Sequence, residues 1–198
     1  MRGKSESKKI GILGGTFNPP HLGHLILGEE ARTCFDLDKV VFIPVFSPPH
    51  KKARNLAPAH LRLKMLKQAL KGYKFFDVDD CELRRKGLSF TVDTLYYYKK
   101  HHPSWRIHLI VGSDAVRNFF RDWRSPCEIL KMATLCVAHR EGYELQNSLK
   151  IRKVRTFKVT RIDISSSFIR QMVKRGFPVG VYLPPGVENI IKRHNLYR

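Results

Sequence analysis

The sequence predicts an α/β fold built on a doubly wound parallel sheet. Short apolar runs bounded by glycine or proline are typical of buried strands, and they alternate with amphipathic helical patterns along the chain. No internal repeat and no long linker divides it. A length of 198 residues suits one domain of ordinary size. We therefore expect one domain over residues 9–198, preceded by a flexible basic tail over residues 1–8.

Each element follows from its local pattern. Strands are predicted at 8–13, 39–45, 75–79, 105–111, 134–138 and 156–160. Helices are predicted at 21–35, 58–71, 90–101, 115–120, 126–132, 165–175 and 187–194. Pro58 suits a first helical turn, and Ser165 is placed to cap the helix that follows it.

Composition narrows the range of functions. Lys and Arg total 37 against 17 Asp and Glu, a net charge of +20 that attracts phosphates, whether of nucleotides or of nucleic acid. No apolar run approaches the roughly 20 residues that a membrane-spanning helix needs, so no membrane partner is expected. The four cysteines lack the short spacings of zinc or redox motifs, which favours reduced thiols in a cytoplasmic protein.

The first chemical motif lies between the first strand and the first helix. Residues 15–24 read Gly-Thr-Phe-Asn-Pro-Pro-His-Leu-Gly-His. A glycine-rich turn at a strand end lets backbone N–H groups approach a phosphate, and the helix dipole favours an anion there. His21 and His24 share one helix face and could donate hydrogen bonds to phosphate oxygens. A single histidine there is usually structural, but packing explains the pair less well. No Gly-Lys-Ser/Thr follows, so this is not a Walker loop.

Two further segments suit a nucleotide. Residues 164–170 place three serines at a helix start, where hydroxyls and free N–H groups could bind a phosphate, and Arg170 could reach it as a forked donor. A plain helix cap is the alternative. Asp114 follows a strand-end glycine and could accept hydrogen bonds from ribose hydroxyls, or could cap a helix.

The remaining candidates are less specific. Thr91, near a helix start, could present N–H groups to a carboxylate or could be an ordinary cap. Trp123 reads from the sequence as a core residue. His50, Lys51 and Arg62 could bind a substrate phosphate, although each taken singly reads more readily as a solvated charge.

Together these motifs resemble the nucleotidyltransferase superfamily, whose His-x-Gly-His element is shared with class I aminoacyl-tRNA synthetases. In detail the chain resembles the bacterial nicotinate-nucleotide adenylyltransferase family over residues 9–198. The segments that carry this resemblance are 15–24, 48–51, 62–66, 82–95, 111–114, 164–170 and 182–197, with Trp123 and Arg140. Asn18, Phe90 and Ser167 depart from the Asp, Tyr and Thr common in the family, and the net charge is high for it.

The resemblance implies a Rossmann-like nucleotidyltransferase fold that transfers AMP from ATP to nicotinate mononucleotide, in NAD biosynthesis. The products would be nicotinate adenine dinucleotide and pyrophosphate, and Mg²⁺ would accompany ATP without a metal site of the protein's own. The implied catalytic residues are His21, His24 and Arg170. The implied ATP contacts are Gly14, Gly15, Thr16, Phe17, Gly23, His24, Gly112, Asp114, Arg140, Ile164, Ser165, Ser166, Ser167 and Arg170. The implied contacts of the mononucleotide are His21, His50, Lys51, Arg62, Ser89, Phe90, Thr91 and Trp123, the last by stacking on the pyridine ring.

Three alternatives stay open. A sister adenylyltransferase would use nicotinamide mononucleotide or phosphopantetheine, although the matches at 90–95 and Trp123 speak against phosphopantetheine. A nucleic-acid-binding module would explain the charge, but no RNA or DNA motif is recognisable, so no specific nucleic acid is expected. A synthetase fragment ranks lowest, because a Lys-rich second motif and an anticodon domain are lacking. The sequence leaves a homo-oligomer open.

Overall fold

A computed structural model describes residues 7–49, 56–117, 119–139 and 153–198. The strands are β1 (Lys9–Gly15), β2 (Lys39–Pro44), β3 (Phe76–Val78), β4 (Arg106–Gly112), β5 (Ala133–His139) and β6 (Val154–Lys158). The helices are α1 (Leu22–Phe35), α2 (Ala59–Ala69), α3 (Cys81–Arg85), α4 (Thr91–His101), α5 (Ser113–Val116), α6 (Phe119–Asp122), α7 (Pro126–Met132), α8 (Ser166–Lys174) and α9 (Val187–Arg193), with a 3-10 helix over Gly180–Tyr182.

The strands form one six-stranded sheet in the order β3-β2-β1-β4-β5-β6, and all neighbours are parallel. This confirms the predicted doubly wound α/β class. The order reverses direction between β1 and β4. In open sheets of this kind a ligand crevice forms outside the carboxyl ends of the strands at such a point.

Both faces of the sheet are covered, because alternate strand residues point to opposite sides. In β2, Val40 and Phe42 join a core beneath α1, α2, α8 and α9, whereas Val41 and Ile43 join a second core beneath α4 and α7. Helix α1 lies so close to the sheet that a Cβ on Gly28 would be 2.8 Å from a ring carbon of Phe42. Glycine is therefore required at that crossing.

Most elements lie within two residues of their predicted bounds. The predicted helix at 115–120 is wrong in detail: two short helices, α5 and α6, send Val116 and Phe119 separately into the core. Helix α3 was not predicted, because five residues carry too little periodicity to indicate a helix.

Two further observations concern the cysteines and the helices. All four cysteines are free thiols, and burial raises the pKa of Cys81 and Cys136 to about 12. None of the helices in the described ranges has the length and apolar character that crossing a bilayer demands.

Candidate active site

The carboxyl ends of the central strands bring the predicted segments to one edge of the sheet. Gly15 pairs with Pro44 of β2, and Leu13 pairs with Ile110 of β4, so Gly112 lies level with Gly15. The loop after β1, the turn from β4 into α5 and the approach to α8 all leave the sheet there. The topology therefore assembles a crevice from segments far apart in sequence.

Phe17 anchors the loop between β1 and α1. Its backbone is left-handed, with φ of 46°, and its side chain is fully buried. The ring centroid lies 5.0 Å from that of His24 and 6.0 Å from that of Phe42. A Cβ on Gly15 would come within 3.1 Å of the Phe17 ring, so any side chain there would crowd this ring. With its ring in the core, Phe17 can offer a ligand only its main chain.

The two motif histidines are brought together at the start of α1. Their ring centroids are 3.8 Å apart, inclined by 34°. The His21 backbone N–H donates to His24 Nδ1 at 3.1 Å. A nitrogen that accepts carries no proton, so this bond assigns the proton of neutral His24 to Nε2, where it can be donated to a ligand. His21 Nδ1 is buried without a hydrogen-bond partner among the described residues.

Both imidazoles are held neutral. Burial lowers the pKa of His21 from 6.5 to about 4. Burial and the neighbouring His21 ring lower the pKa of His24 well below its usual value, against a smaller opposite effect of the backbone bond. At neutral pH the pair therefore offers N–H donors without carrying charge.

The first turn of α8 is docked on this loop. Ser165 caps the helix by accepting from Phe168 N–H at 3.1 Å, as predicted. Ser166 Oγ donates to the Pro19 carbonyl at 2.8 Å. Arg170 donates to the Asn18 carbonyl at 2.9 Å and to Ser167 Oγ at 3.1 Å. The serines and arginine of α8 are thus fixed beside the histidine loop.

Asn18 joins a third segment to the loop. Its side chain is 4% exposed, and its Oδ1 accepts from the Ala57 N–H at 3.0 Å and from the Tyr197 hydroxyl at 2.8 Å. Beside Tyr197, a cavity of about 530 Å³ is lined by Arg170, Lys174 and Arg198 among others. Sequence reasoning weighed Asn18 only as a lost charge and gave Tyr197 no role. The signal in the sequence that could have indicated this role was the polar amide of Asn18 within an otherwise apolar loop segment.

Arg62 corrects one prediction from the sequence. It is 1% exposed, so the interpretation as a solvated charge is wrong. Its guanidinium donates to four main-chain carbonyls, those of Ala57 (3.0 Å), Thr16 (3.0 Å), Val45 (2.7 Å) and Phe46 (3.2 Å). With four donors engaged, Arg62 ties α2 to the loops after β1 and β2. This arrangement supports a structural role in place of contact with a substrate phosphate.

Hydrogen bonds hold the segment before α4 against the loop after β2. Ser89 Oγ accepts from the Phe46 N–H at 2.9 Å, and Ser89 N–H donates to the Ser47 carbonyl at 2.9 Å. The Thr94 hydroxyl donates to Glu82 at 2.5 Å, and burial raises the pKa of this carboxyl. Sequence reasoning assigned Glu82 no role.

Phe90 and Thr91 stand at the start of α4. Phe90 is the N-cap residue and Thr91 the first helical one, and no side chain caps the helix. The first N–H groups of α4 therefore lack a side-chain cap. A carboxylate ligand would require this, because a cap would compete with it for the same N–H groups.

Trp123 lies near this segment. It is half-buried against the same core as Phe90, its Nε1–H donates to the Ala115 carbonyl at 2.9 Å, and its ring centroid is 5.2 Å from that of Phe119. The neighbouring Arg124 lies 4.8 Å above the Phe90 ring. The structure thus brings the two predicted acceptor-binding segments together.

Gly112 and Asp114 lie where β4 turns into α5. Gly112 is the N-cap residue and Asp114 is exposed in the first turn, so Asp114 is not the N-cap. A Cβ on Gly112 would lie 2.6 Å from Asp114 Oδ1. Of the other predicted site residues, His50, Lys51 and Arg140 lie outside the described residues.

Comparison with known proteins identifies the family. The family described as cytidylyltransferase-like matches residues 12–172. A probable nicotinate-nucleotide adenylyltransferase of Clostridium perfringens strain SM101 is 38% identical over 200 residues, which cover 96% of this chain and 98% of that protein. The corresponding protein of Desulfitobacterium hafniense strain DCB-2 is 40% identical over 200 residues, covering 96% of each. The chain belongs to the nicotinate-nucleotide adenylyltransferase family.

Solved structures agree with this family fold. Nicotinic acid mononucleotide adenylyltransferase of Plasmodium falciparum, complexed with NaAD, superposes with a TM-score of 0.80 at 20% identity, covering 96% of this chain and 97% of that one. The same enzyme complexed with APC gives a TM-score of 0.77 at 19% identity, with the same coverage. The predicted Rossmann-like nucleotidyltransferase fold is confirmed.

Family membership makes the chain a nucleotidyltransferase enzyme of NAD biosynthesis. Nucleotidyltransferases of this kind typically use a divalent metal together with ATP. Within the described ranges, no three His, Cys, Asp or Glu side chains are grouped as metal ligands would be.

The carbonyl bonds of Arg62 predict its contribution to stability. Replacing it by methionine orphans several buried carbonyls, each costing about 1–3 kcal/mol. We expect Arg62→Met to lower the free energy of unfolding by about 3 kcal/mol or more, measured by urea denaturation. Lys64→Met on the exposed face of the same helix should change it by no more than about 0.5 kcal/mol. Equal effects of the two substitutions would contradict a structural role for Arg62.

The neutral histidines predict a pH dependence of stability. His21 titrates near 6.5 in an unfolded chain and at about 4 in the folded one. Below pH 6.5 the unfolded chain therefore binds protons that the folded chain does not, and stability decreases as the pH falls towards 4. The urea midpoint should decline between pH 7.5 and 5, less steeply in His21→Ala and with the wild-type slope in the exposed control His60→Ala. A wild-type slope in His21→Ala would refute this prediction.

Proposed function

We propose that the chain transfers AMP from ATP to nicotinate mononucleotide, giving nicotinate adenine dinucleotide and pyrophosphate. The observation that carries this proposal is the docking of α8 on the histidine loop, through Ser166 to Pro19 and Arg170 to Asn18. It brings hydrogen-bond donors of two distant segments, which suit a phosphate, to the carboxyl end of β1. The names of the relatives support the choice of substrates.

The reaction needs no nucleophile from the protein. A phosphate oxygen of the mononucleotide attacks the α-phosphorus of ATP in line, and the bond to the pyrophosphate oxygen breaks. The protein must hold two anions that repel each other and must stabilise the charge that develops in the transition state. His24 would donate from Nε2, and His21 would donate beside it. Because both rings are neutral, they would donate hydrogen bonds as dipoles without adding a charge of their own.

Positive charge comes from the α8 side of the crevice. The Arg170 guanidinium has five N–H donors, and its bonds to Asn18 and Ser167 leave others for the leaving phosphates. Lys174 and Arg198 share its cavity. Mg²⁺ bound to ATP would neutralise further phosphate charge, and the serines at the start of α8 would meet the same triphosphate. The main chain at Gly14, Gly15 and Thr16, with Gly23 and Ile164, would complete the ATP contacts.

The acceptor would be selected at α4. The uncapped first N–H groups there suit the carboxylate of nicotinate. They would disfavour the amide of nicotinamide chiefly because its N–H₂ group is itself a donor and cannot accept from them. Trp123 is half-buried and could present one ring face to the pyridine, while Gly112 and Asp114 would face a ribose.

A single domain over 9–198 and a cytoplasmic location remain predictions.

The role of His24 predicts a selective kinetic loss. Removing a donor that acts mainly in the transition state should lower kcat by about 100-fold or more, with a change in the KM for ATP of no more than a few-fold. We expect this of His24→Ala in steady-state assays of pyrophosphate release. His60→Ala, on the exposed side of α2, should keep both constants. An unchanged kcat in His24→Ala would exclude the assigned role.

A substrate panel tests the reaction itself. Pyrophosphate release with ATP should be fastest by kcat/KM for nicotinate mononucleotide, slower for nicotinamide mononucleotide and absent for phosphopantetheine. Trp123→Ala should raise the KM for the mononucleotide more than the KM for ATP. No release with nicotinate mononucleotide would overturn the proposed function, and faster release with the amide would select the sister enzyme.

A further inference from the structure

A second basic cavity lies at the opposite edge of the sheet from the candidate active site. It has a volume of about 320 Å³ and is formed at the amino ends of β1, β4 and β5. Five cationic side chains line it, those of Lys9, Lys99, Arg106, Lys131 and Lys153. Among the described residues, none of the side chains that line it is acidic. The proposed function uses none of these residues.

Nearby carboxylates neutralise only part of this charge. Lys131 pairs with Glu128 at 2.7 Å and Lys9 pairs with Asp36 at 2.9 Å. Lys99 and Lys153 instead bond to main-chain carbonyls. The Lys99 ammonium donates to the Trp105 carbonyl at 2.9 Å, and the Lys153 ammonium donates to the Lys131 carbonyl at 3.0 Å. These bonds fix both ammonium groups at the cavity. Counting only partners among the described residues, each ammonium has two further N–H donors for a ligand.

The cations are close enough to affect one another. The pKa of Lys99 is lowered by burial and by the charge of Lys153. Burial lowers the pKa of His108, which also lines the cavity; its backbone bond raises this pKa in part, and the charges of Lys9 and Arg106 lower it further. An anion among these groups would relieve their mutual repulsion, so the charge of the lining residues favours anion binding.

We propose that this cavity binds a short phosphate chain, as inorganic oligophosphate or as the di- or triphosphate part of a nucleotide. Its volume is at the low end of small-molecule pockets, roughly 300–1,000 Å³. Its cations converge on one cavity, which favours a short anion over the long backbone of a nucleic acid. The seven residues of β1 separate it from Gly15 by about 20 Å, at ~3.3 Å per residue. One triphosphate cannot reach both sites.

Trp105 provides a local probe of binding. It lines the cavity, and the chain has one other tryptophan, Trp123. In a Trp123→Phe background, titration with inorganic tripolyphosphate should therefore change the fluorescence of Trp105 alone. In the same background, Lys99→Gln with Lys153→Gln should weaken this binding at least tenfold. Lys64→Gln with Lys67→Gln, two exposed positions on α2, removes the same charge and should change it by less than twofold.

The outcomes separate this site from the active site. With Trp123 restored, the Lys99/Lys153 double variant should keep the AMP-transfer activity of the wild type, and equilibrium dialysis should show one tripolyphosphate fewer per chain. Unchanged affinity in that variant, or an equal loss in the Lys64/Lys67 control, would overturn the proposal. Binding of a single-stranded RNA at this cavity without binding of tripolyphosphate would overturn it as well.

Discussion

The hydrogen bonds between α8 and the loop after β1 are the constraint on which the candidate active site depends. Ser166 and Arg170 donate to consecutive carbonyls, those of Pro19 and Asn18. These bonds engage two carbonyls of the loop and hold its backbone in place. They also fix the distance between the histidine pair and the cations of α8. A phosphate group that enters the crevice therefore meets donors whose positions are already set, which reduces the reorganisation that a transition state requires.

The site contains two kinds of hydrogen-bond donor, one neutral and one positively charged. The histidines lie at the start of α1, where His24 packs on Phe17, and burial keeps both neutral. Arg170 and Lys174 lie at the more open side, beside a cavity that solvent reaches. A buried cation at the histidine position would carry a large desolvation cost before ATP arrives. Neutral donors avoid that cost and still stabilise negative charge as it develops.

Buried polar residues of the scaffold explain why this loop keeps its shape. Arg62 gathers four carbonyls from three segments, and Asn18 accepts from Ala57 and Tyr197. The amide at position 18 satisfies its partners without introducing a charge into a nearly closed environment. The departure from the family's usual aspartate is thus compatible with the packing, because its oxygen is turned towards the chain's own donors.

The sequence by itself determined the fold class, most of the strands and helices along the chain, and the segments that form the crevice. These depend on local signals: apolar periodicity, glycine at strand ends, and a string of residues such as the one at 15–24. Tertiary structure decided what each side chain does there. Arg62 read as a surface charge until α2 was packed against two loops, and Tyr197 acquired a role only when the end of the chain reached Asn18. The convergence of Lys99 and Lys153 likewise depends on strand order. Sequence patterns report neighbours a few residues apart, whereas the bonds of Arg62 to the two loops and of Tyr197 to Asn18 join residues 16 to 179 positions apart.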